Sequence, residues 1–170
     1  MELSKYILEK ARQAGICQEW ADKMAVGVDE HELMKMYVEG IDFCMEKNFP
    51  SNRDLVRLGA DVINEYGIYV DSIKKLSNRK FLVALGTSSI SMTVSQSCVS
   101  QVFVKHQSEV MITADDNAYL VIDCFDDSVI TISSSGNSRV LVNIYGNALV
   151  EHSAAGNSTI KIVHKNKTSY

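Results

Sequence analysis

The chain has 170 residues and a hydrophobic content of 46%, enough to bury a core in one or two small domains. Its net charge of −4 is evenly spread, with 12 basic and 14 acidic side chains up to residue 85 and 5 and 7 after it. That excludes a basic arm or an acidic tail, and argues against nucleic acid or an anionic membrane as partner. No apolar leader opens the sequence and no long apolar run interrupts it, so it predicts a soluble, cytoplasmic chain without a membrane span.

Residues 2–14 place Leu3, Ile7, Leu8 and Ala11 on one helical face, and Gly15 ends the pattern. A short second helix is predicted from Gln18 to Ala25, with Trp20, Ala21 and Met24 on one side. Asp29 followed by Glu32 is a capping-box start for a third helix, whose stripe of Leu33, Met36, Tyr37, Gly40, Ile41, Phe43 and Cys44 runs to about Lys47. Beyond Pro50, Ser51 and Asp54 repeat the start signal for a fourth, with Leu55, Leu58, Val62 and Ile63 as its apolar face until Gly67. This is a helical cap domain over 1–67. Residues 68–79 read as a connector, with a short strand at Ile68–Val70 and a polar loop or single helical turn from Ser72 to Arg79.

From Gly86 onward the chain repeats every ten residues in nine copies, of which Gly136-Asn137-Ser138 and Gly156-Asn157-Ser158 are the clearest. A fixed period without insertions is what stacked coils require. Taking the Gly86-type residue as position one, that position holds residues that tolerate a left-handed turn, and position three holds small ones, mostly Ser and Ala. Positions five and seven are apolar, as in Ile130 and Ile132 or Val140 and Val142. Each unit is therefore one strand with alternating sides. Position nine alternates small against large (Val94, Ala114, Ser134, Ala154 against Val104, Cys124, Ile144, His164), which lays a period of twenty over the period of ten. The fold predicted is α+β: a helical cap followed, over 80–170, by a short parallel β-solenoid with two ten-residue strand-turn units per coil. Roughly four coils would stand about 20 Å tall.

The candidate chemistry is thin. Neither the hexapeptide nor the pentapeptide solenoid pattern is present, because position eight is mostly polar. Asp115, Asp116, Asp123, Asp126 and Asp127 cluster on neighbouring turns, where aspartate is expected for backbone reasons. His152 and His164 fall on inward positions of the last units, as fillers of a poorly sealed core end. Cys17, Asp29 and His31 have no pattern that would bring them together. The four cysteines share no metal or redox spacing and read as reduced, mostly buried thiols. The expectation is a protein that is not an enzyme, with no cofactor and no metal. The favoured site is an outward strip of Phe103, Tyr119, Val121, Phe125, Leu141 and Tyr145 on one sheet face. Exposed apolar and aromatic residues on a rigid sheet mark a contact surface, either for the chain's own N-terminal helices, for another subunit or for a partner.

The segments AGICQEW, YVEGIDFCMEKNFPSN, FVKH, NAYLVIDCFD, VNIYGNA and KNKTSY resemble a group of short, functionally undescribed proteins of gut Bacteroidales and their phages or mobile elements. The resemblance implies a bacterial or virion setting and no mechanism. The reading reached is a structural or protein-interaction module that presents a solenoid face to a protein partner or to itself as a homo-oligomer. The alternatives are a phage-encoded effector that blocks a host protein and, less favoured, a carbohydrate-active β-helix enzyme.

Overall fold

A computed structural model describes residues 3–170, which form two compact units divided at Tyr66 and Gly67. The first is helical: α1 (Leu3–Ala14), α2 (Gln18–Ala25), α3 (Glu30–Glu39), α4 (Ile41–Lys47), α5 (Asn52–Leu58) and α6 (Ala60–Glu65). Glu2, placed in the first helix by its sequence, lies outside the described residues. Both predicted caps form. The Asp29 carboxylate accepts the Glu32 N–H at 2.8 Å, and Ser51 Oγ accepts the Asp54 N–H at 3.2 Å while donating to the Asp54 carboxylate at 2.7 Å. Helix α1 packs on α2, α5 on α6, and α3 on both α4 and α6, around a core that includes Ile7, Met34, Tyr37, Met45, Leu55 and Ile63.

Six helices replace the four expected, because two glycines break what the apolar period carries through. Gly59 takes φ +108° and ψ 126°, a conformation closed to other residues, and separates α5 from α6. Gly40 divides α3 from α4. A Cβ there would stand 3.2 Å from the Met36 carbonyl, a tight approach, and at ordinary contact distance, 3.5 Å, from the Trp20 ring. No helix among the described residues is long and apolar enough to cross a membrane.

The second unit is a solenoid of eleven parallel strands: β1 (Ile68–Val70), β2 (Ile73–Ser77), β3 (Phe81–Leu85), β4 (Ser89–Val94), β5 (Val99–Val104), β6 (Glu109–Ala114), β7 (Tyr119–Cys124), β8 (Val129–Ser134), β9 (Arg139–Ile144), β10 (Leu149–Ala154) and β11 (Thr159–His164). Odd-numbered strands form one six-stranded sheet, in the order β1-β3-β5-β7-β9-β11, and even-numbered strands form the other, β10-β8-β6-β4-β2. We call these the odd and even sheets. Val140 lies between Leu120 and Ile160, and Ile132 between Ile112 and His152, so residue n stacks on n plus twenty as the repeat predicts. Positions five, seven and nine face inward and build a continuous core from Leu82 to Ile144. Each buried Val, Leu or Ile contributes about 1.5–3 kcal/mol.

The connector is a correction. Residues 68–77 are themselves a coil, since β1 pairs with β3 and β2 with β4. Their offsets are shorter than twenty, with Ile68 opposite Val83 and Ile73 opposite Ser89, because these first strands and the links between them are shorter than in the later coils. The stack thus begins about one coil earlier than Lys80.

All nine position-one residues adopt positive φ, from Asn166 at 54° to Gly86 at 71°. Position three is small for a second reason, visible in the coordinates. Ser88, Ser138 and Ser158 each donate Oγ–H at 2.7 Å to the carbonyl three residues earlier (Leu85, Ser135 and Ala155), satisfying an acceptor of the turn.

Candidate functional site

Three of the six residues of the predicted strip are not surface residues. Phe103, Phe125 and Tyr145 are buried, and Phe125 is wholly inaccessible. Strand parity does turn them away from the core, yet they are buried and stack along the columns of their sheet. Position ten of the odd-sheet units forms the column Leu85, Lys105, Phe125, Tyr145. The Phe125 and Tyr145 rings stack with centroids 4.7 Å apart and 16° between planes, close to the rise of one coil. On the other side the Lys105 ammonium stands 5.1 Å over the Phe125 ring. Phe103, at position eight, meets Phe81 with ring centroids 5.5 Å apart. Below it in the same column Asp123 accepts the Asn143 side-chain amide at 2.6 Å.

Burial pushes the Lys105 ammonium's pKa down, and Asp126, at 4.0 Å, opposes the shift. This column is a packed structural element, and the contact-surface reading of Phe103, Phe125 and Tyr145 is withdrawn.

The other three remain accessible and adjoin one another. Val121 and Leu141 are register partners at position six and half-buried. Tyr119 is 42% exposed, with Val99, 57% exposed, as its partner on the coil before. Val99 was missed by sequence reasoning, which weighed aromatic positions first. Arg139 and Lys161 border the patch as the register partners of Tyr119 and Leu141. On the even sheet the position-eight column of Thr93, Thr113 and Ser133 is open to solvent, and Met111 and Leu149 are exposed apolar residues on that sheet.

The aspartates are used one at a time by the turns. Asp116 accepts the Gln96 N–H at 2.8 Å and Asp126 the His106 N–H at 3.1 Å, each from the position-one residue one coil earlier. His106 does the same, its Nδ1 accepting the Gly86 N–H at 3.0 Å. Asp115 accepts Ser135 Oγ–H at 2.9 Å, and its pKa is lowered by hydrogen bonds from the Asp116 backbone first and from Ser135. Asp127 accepts from Asn147 at 3.2 Å. This acceptor ladder, in which the side chain at position one of one coil caps the left-handed turn before it, has no sequence signature beyond the residue types. No group of three or more His, Cys, Asp or Glu side chains among the described residues is placed to hold a metal ion.

The remaining candidates are dispersed. Asp29 is engaged as a helix cap, and His31 Nδ1 lies 3.4 Å from the Tyr66 hydroxyl and 3.7 Å from Glu65. Cys17 is an exposed residue at the start of α2. His152 and His164 occupy inward positions, yet both are exposed, because no coil lies beyond β10 and β11. All four cysteines are free thiols. Burial pushes Cys44 and Cys124 up to about 12 each, which keeps them protonated and unreactive. Among known proteins, no family model, no curated protein and no solved structure matches the chain, so function is argued from geometry.

Proposed function

We propose that this protein is a non-enzymatic interaction module whose contact surface is the odd-sheet patch of Val99, Tyr119, Val121 and Leu141, and that its first partner is a second copy of itself. The observation that carries the reading is the placement of these residues. They come from three successive coils and are held in register by an uninterrupted hydrogen-bond ladder, so the patch is presented without loop ordering on binding. Apolar area on a rigid frame with a basic rim is the composition of a protein contact rather than of a reaction site. The polar groups of the turns support this, since Asp116, Asp126 and His106 are occupied by backbone N–H groups and Asp115 and Asp127 by side-chain donors.

The mass in solution tests it. The wild type is expected to run as a defined oligomer in size exclusion with light scattering, and Leu141→Arg combined with Tyr119→Ser as a monomer with unchanged circular dichroism. A wild-type monomer at high concentration, or a variant of unaltered mass, would overturn self-association through this face.

A further inference from the structure

The helical unit contains a cavity of about 510 Å³ that the sheet-face reading does not use. It lies where α3 meets α4. The end of α3 supplies Met36 and Tyr37, the start of α4 supplies Ile41 and Phe43, and Gly40 and Trp20 of α2 also line it. The size falls within the range of small-molecule sites, about 300–1,000 Å³, and the lining is mainly apolar and aromatic as such sites require.

Two polar features distinguish it from a packing defect. Tyr37 lines the cavity and is 4% exposed, yet its hydroxyl has no hydrogen-bond partner among the described residues. The hydroxyl is not sealed off, so its donor is available to a ligand acceptor. Burial also pushes the Tyr37 phenol well above its ordinary pKa, so it stays a donor. The second feature is charge. Glu39 and Asp42 lie on the cavity lining and are exposed, and no Lys, Arg or His lines it with them. Neither forms a salt bridge among the described residues. Lys23, 5.5 Å from the Trp20 ring and paired with Glu19 at 3.0 Å, also stands within electrostatic reach of Glu39, so a ligand amine would share that carboxylate with it.

We infer that this cavity binds a small molecule with an apolar or aromatic body, a hydrogen-bond acceptor within that body for Tyr37, and a protonated amine at the end that meets Glu39 and Asp42. Aromatic walls and carboxylates both favour a cation, and the same carboxylates repel a fatty-acid-like anion. The site is independent of the solenoid surface, and its failure would leave that reading untouched.

Trp20 is the only tryptophan in the chain, so its emission reports the cavity directly. The probes are phenoxybutylamine, phenoxybutanol and phenoxybutanoate, which share an aromatic body and an ether oxygen and differ only in the end group. With the full chain, phenoxybutylamine is expected to change Trp20 emission saturably and to raise the thermal midpoint. Phenoxybutanoate should bind about tenfold more weakly, with phenoxybutanol between them. Tyr37→Phe should weaken amine binding about three- to tenfold, the loss of one hydrogen bond. Glu39→Gln with Asp42→Asn, on exposed side chains that do not support the fold, should close the gap between amine and acid, and it decides the matter if Tyr37→Phe does not fold. No saturable response to any probe, an acid bound as tightly as the amine, or a gap that survives the double substitution would overturn the proposal.

Discussion

The position-one ladder makes single residues of the turns answerable to pH and to sterics. His106 serves through Nδ1 as an acceptor, which places the ring proton of the neutral form on Nε2. Its folded pKa is lowered by burial foremost and by Lys105, against the opposing pull of Asp126 and Asp71. A lowered histidine pKa means stability that is complete above the ordinary value near pH 6.5 and is lost as pH falls through the folded value. Urea unfolding at about pH 7 and about pH 5 should show that loss, and His106→Gln, which keeps a neutral acceptor, should shrink it. Gln96 already holds the same left-handed conformation, so the substitution is compatible with the turn.

Gly136 is the opposite case. A Cβ there would stand 2.8 Å from both the Asp115 carboxylate and the Asp116 N–H. Gly136→Ala should cost at least about 1–2 kcal/mol in the same melts, the left-handed penalty alone. The positive φ of these turns was legible from the residue types at position one. Which side chain accepts from which N–H was not, because both partners are common turn residues and only the stacking joins them.

At the level of strands and helices, what the sequence disclosed depended on whether a residue's direction also settled its exposure. It did for the core, where Val140 and Val142 point in and are covered. It did not for Phe125 and Tyr145, which stack in a buried column that parity alone marks as outward. Phe125→Ala should therefore behave as a core deletion, costing about 3–5 kcal/mol, while Tyr119→Ser on the accessible patch should stay within about 0.5 kcal/mol in chemical denaturation. Equal costs would contradict the distinction.

Strand β2 was hidden for the complementary reason. Its residues Ile73 to Ser77 are nearly all exposed, so they show no alternation, and only the pairing with β4 reveals the strand. The helix breaks were unreadable because Met36, Gly40 and Phe43 keep the apolar stripe in phase across the kink. Sequence thus found the helices and their caps, but neither the cavity where α3 meets α4 nor the place of Tyr37 in its lining.

Over the solenoid unit as a whole, each coil is supported only by its neighbours, so protection should follow position in the stack. The inner columns of β4 to β9 are closed, whereas His152, Ala154 and His164 are exposed, and Val150, Ile160 and Ile162 are covered only in part. Amide hydrogen exchange should be fastest in residues 149–164 and slowest in the middle coils around Leu120 and Ile132. Uniform protection would mean that the terminal coil is held by something beyond its single neighbour.

The unbroken twenty-residue offset from β3 to β11 also governs how such a chain can change in length. Duplicating twenty residues in the middle would add one layer and return every downstream side chain to its former column. Duplicating ten would send each later strand to the opposite sheet, bringing the small residues Ser135 and Ala155 into the column where Phe125 and Tyr145 now stack. Growth by genetic duplication is therefore quantised in whole coils, and a family of such proteins should differ in length by multiples of one lap.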